Sequence, residues 1–522
     1  MKLEKVDQPS ITSKDSDERL KSKNISFIFE LPSVNYLISE TGRIVPSSFR
    51  EGILKRNIYF INFIDELEIL NFMVYLPPVH IEMLDDFLNG NVDKVFAIST
   101  KKFNDLNEDE KKLVLELPQG SDSNSDVLSP AQLNEEWFLN IICRYNLSLL
   151  KDFEIEDDED WEKVKVKTSG FTNEDKELLL TLEVRALSEY RNKLKKLLKS
   201  YSIEFLSNTR SGSEPGLFLS EAAILTDTSS LSILTDLKDG RNKYFKSSGY
   251  FSLNRDITQK EIPLITTAGF SYILTDEEAL MESLQSIEYP GLSLKEIEQF
   301  PYYIFFTVET GKIIQILFYH SEFKDVFKQE NLKDYKQNLR KIYDSIPDNT
   351  AEGVFENKDP LYIVLIPTDV LFDYTKEDFK VLKELFEYTI DLYMFSYVPI
   401  KNHLKKHNDK EKMFLLRDLL ANAHRDIYRD WNKAQKMSFD ILTSMKKDIK
   451  IISTDLEKIE DPEKLMTATG ELDKIKRDFL TLRSYYSNLN EFTVEEFDLF
   501  SSQMKKIIKE FDIEEFTKEH PE

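Results

Sequence analysis

The sequence predicts an α+β multidomain chain, with N-terminal and middle mixed α/β modules followed by a C-terminal antiparallel helical bundle or coiled coil. Three observations predict it. Aromatic and β-branched runs alternate with helix-periodic segments through the first 400 residues. From residue 401 the apolar residues fall at helical spacing. The chain of 522 residues spans about three domains at roughly 100–200 residues each. We place a mobile tail at 1–23 and an N-terminal α+β domain at 24–168. A small α+β module at 169–240, a sensor-like α+β domain at 241–400 and a long-helix bundle at 401–522 complete the division.

In the first module Ile25-Ser26-Phe27-Ile28-Phe29, Ile58–Ile64 and Leu67–Leu76 read as strands, because β-branched and aromatic residues suit a pleated, half-buried surface. Pro77-Pro78 ends the last of them. Ile81, Leu84, Phe87 and Leu88 then keep helical spacing up to Gly90, a helix stop. Val92–Ile98 and Lys112–Leu117 read as further strands. Gly120–Asp126 has loop composition. Ser129-Pro130 has the form of a cap and first helical residue, and Leu133, Trp137, Ile141 and Tyr145 continue as a helix. The eight carboxylates between Asp152 and Glu162 read as a solvated loop or strand edge.

Leu178–Val184 reads as a strand, with a helix through Tyr190, Leu194, Leu197 and Tyr201. Tyr302–Val308 and Ile313–Phe318 flank Glu309-Thr310-Gly311-Lys312 and predict a hairpin. Tyr362–Ile366 is expected to be a buried strand. Phe379, Leu382, Phe386, Ile390 and Tyr393 mark an amphipathic helix capped by Thr375. A long helix follows through Leu416, Leu420, Ala423, Ile427, Ala434, Ile441, Met445 and Ile449. Leu472, Ile475, Phe479, Leu482, Tyr486 and Leu489 alternate steps of three and four, the seam of a coiled coil. After the Thr493–Glu496 capping box, Phe497, Phe500, Met504 and Ile507 carry the same spacing. These ridges are expected to assemble with a second copy or a protein partner through 401–522.

Composition narrows the partners. Lys and Arg number 69 against 94 Asp and Glu, a net charge of −25. Residues 401–450 alone carry a net +6. An acidic body repels a phosphate backbone, so nucleic acid is disfavoured except through that basic segment, which is expected to meet protein. The single cysteine, Cys143, lies in an apolar run and reads as a buried structural thiol. One cysteine without an intrachain mate fits a reducing interior. No stretch reaches the roughly 18 apolar residues of a membrane span. The expected location is cytoplasmic.

Short catalytic motifs are missing. The sequence holds no phosphate-binding loop of the Gly-x-x-x-x-Gly-Lys-Ser/Thr or Gly-x-Gly-x-x-Gly kind and no Gly-x-Ser-x-Gly elbow. No cofactor is expected. His403 and His407, at i and i+4, share a helix face and form the one candidate metal pair. Lys405 and Lys406 favour reading that face as a solvated basic surface. His424 with Asp426 is the candidate phosphorelay pair, weighed against a histidine at a bundle edge.

Two segments resemble known families. The order Leu361–Pro367, then Thr375–Phe395, then a long helix resembles the end of a GAF-type sensor domain running into a signalling helix. Leu416–His424 is similar to the histidine box of histidine kinases, although Arg425 stands where that box has an acid. The run Asn71–Pro78, with its helix and Leu88-Asn89-Gly90-Asn91-Val92, resembles uncharacterised bacterial α+β domains. That resemblance implies a bacterial defence or signalling setting and no catalytic residues.

The sequence reading is therefore a non-enzymatic interaction, scaffold or regulatory protein. Its alternatives are a GAF-like sensor or phosphorelay protein, and a carboxylate-based nuclease or other hydrolase without short motifs.

Overall fold

A computed structural model describes residues 22–416 apart from connecting segments, chiefly 32–36, 119–128, 154–158, 209–226, 253–256, 285–297 and 347–354. Beyond 416 it describes isolated stretches between 444 and 508.

Among the described residues, seven parallel strands close on themselves. They are β1 Lys23–Glu30, β2 Met73–Tyr75, β3 Glu204–Leu206, β4 Gly249–Phe251, β5 Tyr272–Asp276, β6 Lys312–Tyr319 and β7 Tyr362–Ile366. β1 pairs with β2 and β2 with β3. A bridge between Ser207 and Tyr250 carries the ladder from β3 to β4. β4, β5 and β6 follow in order. His320, next after β6, bridges Val364 of β7, and β7 returns to β1. Two short bridges thus convert two sheets into a barrel. Strands from the stretches 24–168, 169–240 and 241–400 share this one barrel.

Alternation along each strand sorts the core. Ile28, Met73, Leu206, Phe251, Leu274, Leu317, Ile363 and Leu365 point inward and pack as one cluster. The opposite residues, among them Phe27 and Phe29, face the helical layer. There α1 Ile58–Glu66 lies beside the long helix Lys376–Asp391. Phe72 meets Phe29 and Phe386 edge-on at 5.1 and 5.0 Å between ring centroids, a geometry favoured by the ring quadrupole.

The connection from β2 to β3 holds a helical insertion, including α2 Pro78–Leu88, α3 Glu135–Leu150 and α4 Asn173–Leu197. α2 ends where Gly90 adopts φ +101°, a conformation glycine reaches without steric cost. A Thr172–Asp175 capping box opens α4.

Several expectations are corrected. Ile58–Ile64 is helix, the described residues of Leu67–Leu76 hold only β2, and Leu178–Val184 lies inside α4. Val92–Ile98 and Lys112–Leu117 fall in the helices Lys94–Thr100 and Glu108–Glu116. The cause at α1 is burial on nearly every side: six of its nine residues are buried, and periodicity cannot separate such a run from a buried strand. Lys23, expected in the tail, begins β1. The hairpin Phe305–Glu309 with Lys312–Tyr319, the strand Tyr362–Ile366 and the Thr375-capped helix are present as read. The expected α+β multidomain arrangement closed by a C-terminal coiled coil gives way to the barrel. Within the coiled-coil ridge, Leu472 and Ile475 are already buried in the single chain. Phe479, Leu482, Tyr486, Leu489, Phe497, Phe500, Met504 and Ile507 lie outside the described residues.

Candidate active site

Parallel barrels gather function at the carboxyl ends of their strands, where the connecting loops converge. Here those ends carry a specific set of side chains. The inward face of β1 ends in Glu30, since Ile28 two residues before it is interior. The inward face of β5 ends in Asp276 for the same reason, two residues after Leu274. Register sets Glu30 beside Tyr75 of β2 and Asp276 beside Tyr319 of β6. The rings of Tyr75 and Tyr319 flank Phe251, with centroids at 5.0 and 5.4 Å. Three aromatic rings therefore line the barrel mouth, with Glu30 on the strand beside Tyr75 and Asp276 on β5, between the strands of Phe251 and Tyr319.

Hydrogen bonds hold these groups in place. The Tyr75 hydroxyl bonds Asn208 Oδ1 at 3.0 Å, and the Tyr319 hydroxyl donates to the Ser252 carbonyl at 3.0 Å. The backbone N–H of Thr368, just past β7, donates to Glu30 Oε2 at 3.0 Å and orients that carboxylate. Glu277, adjacent to Asp276, pairs with Nδ1 of the buried His320. The imidazole packs in a cluster with Tyr302 and Tyr362, at 4.7 and 4.4 Å between centroids, and the two tyrosine rings are 5.4 Å from each other. Its backbone also ties β6 to β7, donating to Ile363 O and accepting from Leu365 N. One residue thus helps close the barrel and fixes a carboxylate at its rim.

The opposite end of the barrel is plugged. The helix Ile400–Lys406 inserts Ile400 and Leu404 into the interior cluster. Beneath the cluster the Tyr272 hydroxyl donates to Glu204 Oε1 at 2.7 Å. Burial raises the Glu204 carboxyl above the usual carboxylate range. The two ends therefore differ in kind, one a closed plug and the other a rim of carboxylates and aromatic rings.

With that geometry in view, the chain can be set against known proteins. No protein-family model matches it, and no curated protein matches it. Solved structures do. The GH57-type branching enzyme from the hyperthermophilic archaeon Pyrococcus horikoshii is 12% identical with a TM-score of 0.51, covering 94% of this chain and 87% of that one. The α-amylase AmyC from Thermotoga maritima is 11% identical with a TM-score of 0.51, covering 94% of this chain and 96% of that one. The fold is that of GH57-type glycosidases. At such identity the likeness is one of fold.

This corrects the sequence reading. The GAF-type and bacterial α+β resemblances rested on strand–helix order, which a βα barrel also produces. The non-enzymatic scaffold or regulatory reading, the sensor and phosphorelay alternative, and the defence or signalling setting fall with them, because the fold is shared with carbohydrate enzymes. No helix among the described residues is long and apolar enough to cross a membrane.

The structure disposes of the sequence-stated site residues unevenly. His424 and Asp426 lie outside the described residues. His403 and His407 sit at the plugged end, and both are buried, at 2% and 7% exposure, so the expected solvated basic surface is corrected. Cys143 is buried in α3, and burial pushes its thiol up to about 12. Glu30, Asp276, Glu277 and His320 escaped the sequence reading. Their available signal was position: Glu30 ends a run of aromatic and aliphatic residues, and Asp276-Glu277 follow Tyr272-Ile273-Leu274-Thr275. Strand β5 itself went unread, so its terminal acids had no frame.

Proposed function

We propose that this protein is a carbohydrate-active enzyme that cleaves or transfers glucan chains at the carboxyl mouth of its barrel. The observation that carries the reading is the pair of inward carboxylates, Glu30 and Asp276, at one end of a barrel of this fold. The two structural relatives, a branching enzyme and an α-amylase, support glucans as the substrate class.

Glycosidic bond cleavage needs two carboxyl groups on opposite sides of the bond. One donates a proton to the departing oxygen, while the other attacks the sugar carbon or activates water there. The rings of Tyr75, Phe251 and Tyr319 line the mouth that Glu30 and Asp276 share and offer a sugar ring apolar faces to pack on. Glu277, held by His320, adds negative charge at the rim and steadies the Asp276 end.

The test is direct. Purified full-length protein is incubated with amylose, glycogen and maltooligosaccharides, and reducing ends and chain lengths are followed. Wild type yields shortened or rearranged chains, and Glu30→Gln and Asp276→Asn each reduce the rate by about 10²-fold or more. Absence of product from all three substrates, or undiminished rates in both variants, overturns the reading.

A further inference from the structure

At the plugged end, the amino-terminal foot of β7 meets the plug helix. Asp359 lies just before β7, His403 lies on the helix Ile400–Lys406, and His407 caps that helix. One ligand atom from each of the three side chains lies within 4.8 Å of the other two. The imidazole centroids are 4.6 Å apart. His407 Nε2 stands 3.3 Å from Asp359 Oδ2.

Buried polar atoms are normally paired, and here they are not. His403 Nε2 and both ring nitrogens of His407 are buried with no hydrogen-bond partner. His407 Nε2 faces Asp359 Oδ2 at 3.3 Å without the alignment of a hydrogen bond. His403 is otherwise oriented as a ligand would be, since its ring bonds the backbone of Asp359. An imidazole held by one nitrogen presents the other to a metal. Asn24 Nδ2 donates to Asp359 Oδ1 at 3.3 Å and so fixes the carboxylate from behind. Two ligand atoms of a tetrahedral zinc ion, with bonds of about 2.0–2.1 Å, stand roughly 3.3–3.4 Å apart, which is the separation seen for the His407–Asp359 pair. Lys406 and Lys412 act on His407 and oppose a cation, whereas the Asp359 charge favours one.

We propose that Asp359, His403 and His407 form a binding site for a divalent metal ion of the zinc class. Two imidazoles and a carboxylate suit a borderline-soft first-row ion. Bound there, the ion ties the plug helix to the foot of β7 and locks the closed end of the barrel.

Full-length protein is stripped with a chelator, dialysed, and titrated with Zn²⁺ and, separately, with Co²⁺. The expected result is one equivalent of Zn²⁺ per chain, visible absorption bands from four-coordinate Co²⁺, and a higher Tm with Zn²⁺ present. His403→Gln and His407→Gln each abolish the Co²⁺ bands and the Tm response, and His424→Gln retains both. Circular dichroism verifies that the variants are folded, and Asp359→Asn, a milder change, weakens binding at least tenfold. No stoichiometric uptake by wild type, or equal uptake by the His403→Gln and His407→Gln proteins, overturns the site. The readout is metal content and absorption, so it stands or falls separately from glucan turnover.

Discussion

Gly249 faces Tyr272 across the β4–β5 register, and a Cβ there would run into the Tyr272 ring. That ring carries the hydroxyl bonded to Glu204, so moving it aside breaks a hydrogen bond to a buried carboxyl. Gly249→Ala should therefore destabilise the protein by about 1–3 kcal/mol, the usual cost of overpacking, measured as a lower urea midpoint. His80 gives a prediction in pH. It is fully buried, its Nε2 lies 2.9 Å from the Tyr190 hydroxyl, and burial, with Arg56 nearby, lowers its pKa to about 3. The unfolded chain takes up a proton near the ordinary value of 6.5 while the folded chain does not. The neutral-ring contribution is thus complete above pH 6.5 and lost as pH falls toward 3, at up to about 1.4 kcal/mol per pH unit. The stability difference between wild type and His80→Gln should shrink with that slope between pH 6.5 and 4. No sequence pattern marked His80, because a histidine's burial depends on what α4 lays over it.

At the scale of elements, one buried arginine gathers the helical insertion. Arg50, in the helix Ser47–Gly52, donates through Nε to Asp93 at 2.7 Å and through Nη1 to Glu183 of α4 at 2.5 Å. Tyr145 of α3 stands 3.4 Å from Nη2 and donates to Glu51 at 2.6 Å. Asp93 meanwhile caps the helix Lys94–Thr100 by accepting from Phe96 N. Four helices are thus pinned through a single guanidinium. Arg50→Met leaves two buried acids without a counter-charge and should cost about 3–5 kcal/mol, read by chemical denaturation. Adding Glu183→Gln to that variant should return part of the loss. The elements themselves were legible where a stop, a turn or a cap marks them: α2 with its Gly90 stop, the hairpin leading into β6, and the capped helix Lys376–Asp391. They were misread where a buried apolar run carries no such marker, as in α1, which has no side-chain cap. Strands of three residues, such as β2, β3 and β4, are too short to show a period at all.

For the whole molecule, the barrel is a consequence of pairing between strands far apart in the chain. β1 meets β7 across more than 300 residues, and the final closures are the Ser207–Tyr250 and His320–Val364 bridges. The candidate site is the product of that closure, since Glu30 and Asp276 share a mouth only because β1 and β5 point the same way. The glucan assay on Glu30→Gln and Asp276→Asn tests the molecule at this scale, because the proposed cleavage draws one carboxyl group from each of two strands. A further expectation concerns closure itself. His320→Ala removes the ring packed against Tyr302 and Tyr362 and frees Glu277. It should lower Tm and glucan turnover together, whereas Glu277→Gln should lower turnover with a smaller change in Tm.

Acidic charge, a lone buried thiol, caps, stops and the hairpin belonged to the sequence alone, because each is set by neighbours within a few residues. It also placed His403 and His407 one helical turn apart. Tertiary structure decided that the strands form one parallel barrel, that two acids distant in the chain converge on its rim, and that Asp359 joins the two histidines at its foot. Those outcomes depend on register between remote segments, and register is settled by which faces can be buried together.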